Sequence, residues 1–222
     1  MCRILFKPTN DVNFDKNVLQ ESYKDNPDGT GLIYYDLSLD QMVCQKWTSD
    51  TQFDTIWKTV QSVEKNKSAC NIAIHFRYGT SGGKGIDQIH PIHVCDNLWL
   101  IHNGICHDFE FDNRVMSDTQ LMAFWFKCSG ITISDMKARL GKLYLNDKFA
   151  SNKLLFIERQ NYHIINEELG SWENGIWSSW QPCESTIFDD NQYGLTQIRR
   201  DLDEEEEEDE VEEVNNWNRS FA

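Results

Sequence analysis

No secretory leader is expected at the start of this sequence, because the apolar run there stops at Lys7-Pro8. No stretch of about 18 apolar residues is present that could span a bilayer. Cys-x-x-Cys is missing too. The seven cysteines, at positions 2, 44, 70, 95, 106, 128 and 183, are odd in number and scattered, which suits reduced thiols in a cytoplasm. No internal repeat is found, and no zinc-type spacing. Basic charge is short: 21 Lys and Arg stand against 36 Asp and Glu, a net charge of −15. That deficit is local. Residues 201–213 hold 11 of the acidic side chains and no basic one, which leaves 25 acidic against 21 basic elsewhere, or −4. A nearly balanced body argues against direct nucleic-acid binding. The expectations are a cytoplasmic protein with no membrane partner, no metal and no cofactor.

What is present is core material. Forty per cent of the 222 residues are hydrophobic and eight are tryptophan, enough for one sizeable core. Periodicity predicts helices over 14–24, 51–66 (with Phe53, Ile56, Trp57, Val60 and Val63 on one stripe), 117–128 and 133–143. Strands are expected over 32–37, 41–47, 71–75, 92–95, 98–102, 153–157, 162–166 and 175–180. Strands that outnumber helices and come in hairpins predict an α+β fold, antiparallel sheets with helices layered on them. From about Gln197 the chain turns polar and acidic, so a folded domain over 1–196 and a disordered tail over 197–222 are expected.

The start, Met1-Cys2-Arg3-Ile4-Leu5-Phe6, carries the sharpest chemistry. Removal of Met1 would leave Cys2 with its thiol and a free α-amine on one carbon. Such an amine has a pKa of about 8, so roughly a tenth of it is neutral at pH 7 and able to take a proton. A nucleophile beside its own base is the N-terminal form of nucleophile-plus-base catalysis. The apolar run after Cys2 would hold that terminus in a sheet.

Four other stretches have two readings each. Asn103-Gly104 after a hydrophobic strand is ordinarily a hairpin turn, but an asparagine amide and the next backbone N–H can also be two donors aimed at one oxyanion. Residues 75–83 leave a strand into a glycine-rich loop that fails as a phosphate loop, since the Gly79–Gly83 spacing is one residue short and Gly85 follows Lys84. Arg77 there is a surface or ion-pair residue unless a carboxylate ligand is bound. His90 and His93 would face opposite sides of a strand and cannot chelate together. Ser117-Asp118 reads as a helix start, with Asp118 near the positive end of the dipole, where a buried carboxylate could also hold an ammonium group.

The order of these motifs, Met1-Cys2-Arg3, residues 26–32, 75–82, His90-Pro91, His102-Asn103-Gly104 and 117–120, resembles class II glutamine amidotransferases, whose amidase domain is an N-terminal-nucleophile hydrolase. It looks most like their short stand-alone branch, over about residues 2–180. The resemblance implies a four-layer αββα sandwich of two antiparallel sheets. It implies Cys2 as nucleophile, Asn103 and Gly104 as oxyanion hole, Arg77 for the α-carboxylate of glutamine and Asp118 for its α-ammonium. Thr80, Ser81 and His90 would line the glutamine pocket, with Asp28 and Gly29 at its floor. Glutamine would give glutamate and ammonia, the latter for a separate acceptor synthase. Members of the branch also cleave γ-glutamyl bonds in larger metabolites, and a retained fold that binds partners through the acidic tail is a third, non-enzymatic reading. Thr30 stands where the branch carries Trp, and residues 177–180 depart from its usual late strand, which puts the acceptor side in question.

Overall fold

Side chains along β1 (Arg3–Lys7) take opposite sides in turn: Ile4 and Phe6 join one apolar cluster and Leu5 another. A strand buried on both faces must lie inside layers. The computed structural model describes residues 2–79, 83, 85–109 and 116–180, within a unit that runs from Met1 to Gln181. A second unit, Pro182–Ala222, falls outside the described residues, and with it the boundary expected after residue 196 and the acidic run.

The first layer is α1 (Lys16–Asp25), capped by the Asp15 carboxylate, and α2 (Phe53–Lys65). Leu19, Phe53, Ile56, Val60 and Val63 pack on Leu5, Leu32, Ile72, Ile74 and Phe76 of the sheet beneath. That sheet adds β2 (Thr30–Asp36), β3 (Gln41–Trp47), β4 (Ala69–Phe76), β9 (Ser171–Glu173) and β10 (Ile176–Ser178), in the order β3-β2-β4-β1-β10-β9. β1 is therefore central, hydrogen-bonded to β4 on one side and β10 on the other. The second sheet is β5 (Ile92–Cys95), β6 (Leu98–Asn103), β7 (Lys153–Glu158) and β8 (Asn161–Ile165), in that order. Between the sheets lie Ile4, Phe6, Ile33, Ala73, Ile101, Leu155, Ile157, Ile164 and Trp177. The outer face of the second sheet packs on α3 (Asp118–Ser129), α4 (Ile133–Lys137) and α5 (Arg139–Phe149) through Leu100, Met122, Phe126, Met136, Phe149 and Phe156. All paired strands are antiparallel. The result is the expected αββα sandwich.

Two expectations are corrected. The helix predicted over 133–143 is two helices, broken at Ala138, whose backbone is extended. Gly141 explains the break: a Cβ there would sit 2.0 Å from the Asp135 carbonyl oxygen, so α5 crosses α4 where only glycine fits. Asn103-Gly104 makes no hairpin, because β6 returns to β7 only after α3–α5. The short strand β9 carried no alternation long enough to find. Among the described residues no helix is long and apolar enough to cross a membrane.

Candidate active site

Alternation decides which side chains meet. Ile4 and Phe6 face the gap between the sheets, so Cys2, two residues earlier, turns toward the same gap at the open end of β1. Beyond the end of β4 the chain passes Cys2: the Tyr78 N–H donates to Cys2 Sγ at 3.3 Å, and Sγ lies 3.5 Å from the Tyr78 carbonyl oxygen. Burial pushes the Cys2 thiol up, while the Tyr78 backbone and the Arg77 cation pull it down and the Asp118 charge adds to the rise. The thiol thus holds its proton until a base removes it.

A narrow cavity of ≈ 20 Å³ opens beside Cys2, lined also by Arg77, Gly104 and Asp118. It has room for about one water. Arg77 is buried, and its backbone is tied to the turn before β2: its N–H donates to Gly29 O at 2.8 Å, and Asp28 N–H donates to Arg77 O at 3.0 Å. Asp28 Oδ2 accepts from Gly79 N–H at 2.8 Å. Asp28 and Gly29 therefore brace the segment that carries Arg77, and neither lines the cavity. Gly29 has φ 141° and its missing Cβ leaves space for Ile89.

Asp118 opens α3, where Ser117 and Gln120 form a capping box. Its Oδ1 accepts from Thr119 N–H at 2.7 Å and its Oδ2 from Cys106 N–H at 3.0 Å. His102 Nδ1 lies 3.8 Å from Oδ2. His90 and His102 complete the wall. His90, buried, stacks on His75 with ring centroids 4.3 Å apart and on His102 at 6.4 Å. His102 Nε2 lies 2.8 Å from Asn152 Oδ1, which can only accept, so Nε2 carries the proton and Nδ1 accepts from the Thr119 hydroxyl at 2.9 Å. Burial lowers all three histidines, His75 to about 3, so the stack is neutral at pH 7. His93 is exposed and apart from it.

Asn103 is buried and is not among the residues that line the first cavity. It lines a second, larger cavity of ≈ 290 Å³ with Cys2, Arg3, Asp25, Asn26, Lys153, Ser179 and Trp180. Its Nδ2 donates to Ser179 Oγ at 2.8 Å. Gly104 reaches the first cavity with φ 151°, which few other residues adopt. Of the sequence-predicted residues, Cys2, Arg77, His90, Gly104 and Asp118 meet at the first cavity, Asn103 borders the second, and Thr80, Ser81 and Met1 lie outside the described residues. Gln88, Thr119, Lys153, Ser179 and Trp180 were not singled out from sequence as site residues. No local sequence signal marks the last three, which reach the site through strand register, Asn103 opposite Lys153 and Phe6 opposite Trp177.

No protein-family model matches this sequence, and no curated protein does either. Solved structures do match in fold. The allosteric regulatory enzyme of purine biosynthesis is 16% identical with a TM-score of 0.51, over 80% of this chain and 41% of that one. Glutamine phosphoribosylpyrophosphate amidotransferase from B. subtilis, complexed with ADP and GMP, is 15% identical with a TM-score of 0.50, over 81% of this chain and 42% of that one. The chain spans about two fifths of the length of these proteins. Its αββα fold matches that of these two solved structures.

Proposed function

We propose that this chain, which has the class II amidotransferase fold, is a cytoplasmic glutamine amidase with Cys2 as its nucleophile. The observation that carries the reading is one cavity shared by a thiol, a buried guanidinium, a glycine at a strand end and a buried carboxylate, from Cys2, Arg77, Gly104 and Asp118. Arg77 takes the α-carboxylate of glutamine and Asp118 its α-ammonium, with Thr80, Ser81 and His90 along the chain between them. Asp28 and Gly29 hold the Arg77 segment in place. The amidase domain is residues 1–196, and 197–222 is an acidic appendage.

Loss of Met1 frees the Cys2 amine. The amine takes the thiol proton as Sγ attacks the side-chain amide carbon, and Asn103 Nδ2–H and Gly104 N–H meet the oxyanion. The carbon–nitrogen bond breaks, the amine passes its proton to the leaving nitrogen, and ammonia departs. Water then adds to the γ-glutamyl thioester with the amine again as base, and glutamate leaves as the thiol is restored. Ammonia goes to a separate acceptor enzyme. A second reading, cleavage of γ-glutamyl bonds in a larger metabolite, is favoured by the ≈ 290 Å³ cavity on the other side of Cys2, which ammonia does not require.

The test is intact mass with and without a glutamine-like diazoketone, alongside glutamate release. One adduct on Cys2 of a chain without Met1, in protein that releases glutamate, supports the reading. Labelling spread over Cys44, Cys70 or Cys106, or active protein that keeps Met1, sinks it. An inert thiol would leave a non-catalytic module that binds through its fold and tail.

A further inference from the structure

Cys2 stands between two cavities of very unequal size. The larger is lined by charged groups that the chemistry at the thiol does not use. One pair is already satisfied: Arg3 Nη2 lies 2.6 Å from Asp25 Oδ2, and the Arg3 guanidinium sits 4.3 Å from the Trp180 ring centroid. Lys153 is different. It pairs in register with Asn103 across β6 and β7, and Leu155 and Ile157 show that this face of β7 points between the sheets, toward Cys2. Among the described residues no carboxylate pairs with its ammonium, although it is half-buried and burial lowers its pKa. An anion in the cavity would restore what burial takes away.

We propose that Lys153 makes this cavity selective within the second reading above, taking leaving amines that bear a carboxylate: an amino acid or peptide joined through its nitrogen to the γ-carboxyl. This rests on Cys2 being the nucleophile. In the reaction the Cys2 thiol adds to the γ-carbonyl, the carbon–nitrogen bond breaks, and the amine leaves with the proton that the thiol gave up. Water hydrolyses the thioester, so the sum is γ-glutamyl amide plus water giving glutamate plus free amine.

The probes are γ-glutamylglycine and γ-glutamylglycinamide, which differ only in a carboxylate against a carboxamide. The parent should hydrolyse the first with kcat/KM higher by about tenfold or more, the scale of one charge-assisted contact. Lys153→Met should bring the ratio near one, and Lys153→Arg should keep it. The ratio cancels any general effect of substitution on folding or on Cys2. A parental ratio near one, or a preference that survives in Lys153→Met, overturns the proposal. Hydrolysis of glutamine alone, with neither probe touched, also overturns it and leaves Cys2 as an ammonia-releasing nucleophile. If glutamine is inert as well and the diazoketone leaves Cys2 unlabelled, the nucleophile assignment fails and this inference fails with it.

Discussion

Ser179 Oγ accepts two hydrogen bonds, from Asn103 Nδ2 at 2.8 Å and from the Ile4 backbone N–H at 2.9 Å. Ser179 N–H in turn donates to Ile4 O at 3.0 Å. One hydroxyl thereby ties the strand that carries Cys2 to the strand that carries Asn103, across the gap between the sheets. Asn103 Nδ2 has two protons, and Ser179 takes one; the other is available to a developing oxyanion. The separation of Cys2 and the Asn103 amide is set by residues far apart in the chain.

Ser179→Ala should slow turnover about 3- to 10-fold with little change in KM, the scale of a lost positioning hydrogen bond. Melting should also fall, because the buried Ile4 N–H loses its acceptor. Ser179→Thr, which keeps the hydroxyl, should recover most of both losses. Steady-state glutamate release for the three proteins decides it. Unchanged turnover in a folded Ser179→Ala protein would show that Asn103 needs no such support.

Much of this was legible in the sequence where the signal is local. The α2 stripe of Phe53, Ile56, Val60 and Val63 is buried as its spacing predicts, and Ser117 caps α3. Cys2, Arg77, Gly104 and Asp118 were nameable from motif order. The second cavity was not, because it depends on register. Nothing in the sequence near Lys153 says that it lies opposite Asn103, and nothing near Ser179 says that it bonds to Ile4. The Ala138 break escaped for a related reason: the 133–143 pattern is helical locally, and the close approach of Gly141 to Asp135 is what interrupts it.

The histidine stack makes the fold acid-sensitive. His75 is fully buried, and that burial is the largest cause of a pKa lowered to about 3. Its unfolded value is about 6.5, so between the two values the unfolded chain binds the extra proton. Stability is therefore full above about pH 6.5 and is lost as pH falls toward 3. For His75 alone the loss from pH 7.5 to 5 is about 2 kcal/mol, and His90 and His102, both lowered, act in the same direction. Urea unfolding at the two pH values measures this, and equal midpoints would contradict it.

Arg77→Ala and Asp118→Asn should mainly raise KM for glutamine, whereas Asn103→Ala should mainly lower kcat. On the proposed reading the first two meet charges that glutamine carries before and during reaction, so their loss is largely a loss of uniform binding. On the same reading Asn103 meets an oxygen that becomes negative only in the transition state, and one such donor is worth about 10²–10³ in turnover. A folded Asn103→Ala enzyme with parental kcat and only a raised KM would remove Asn103 from the oxyanion hole.

Gly104→Ala tests the geometry of the whole strand end. At φ 151° an L-residue is strained, and the added Cβ would lie 2.2 Å from Asn152 Oδ1 and 3.0 Å from His102 Nε2. Asn152 has little freedom to retreat. Its Oδ1 is held at 2.8 Å by His102, its N–H donates to Phe149 O at 2.7 Å, and its carbonyl accepts from Asn166 Nδ2 at 2.8 Å. Strain and overpacking together should cost about 2–4 kcal/mol of stability. On the proposed reading the relaxed backbone should also misplace the 104 N–H as an oxyanion donor and lower turnover by at least tenfold. Asn152→Ala removes the 2.2 Å clash but also the acceptor of the buried His102 Nε2–H, so the comparison is with Asn152→Ala alone: adding Gly104→Ala there should lower melting less than it does in the parent, and turnover should still fall. No loss of either there would mean that the clash alone mattered and that the backbone donor at 104 plays no part in the chemistry. Parental melting and turnover in Gly104→Ala itself would show that residue 104 does not hold this conformation when the enzyme works.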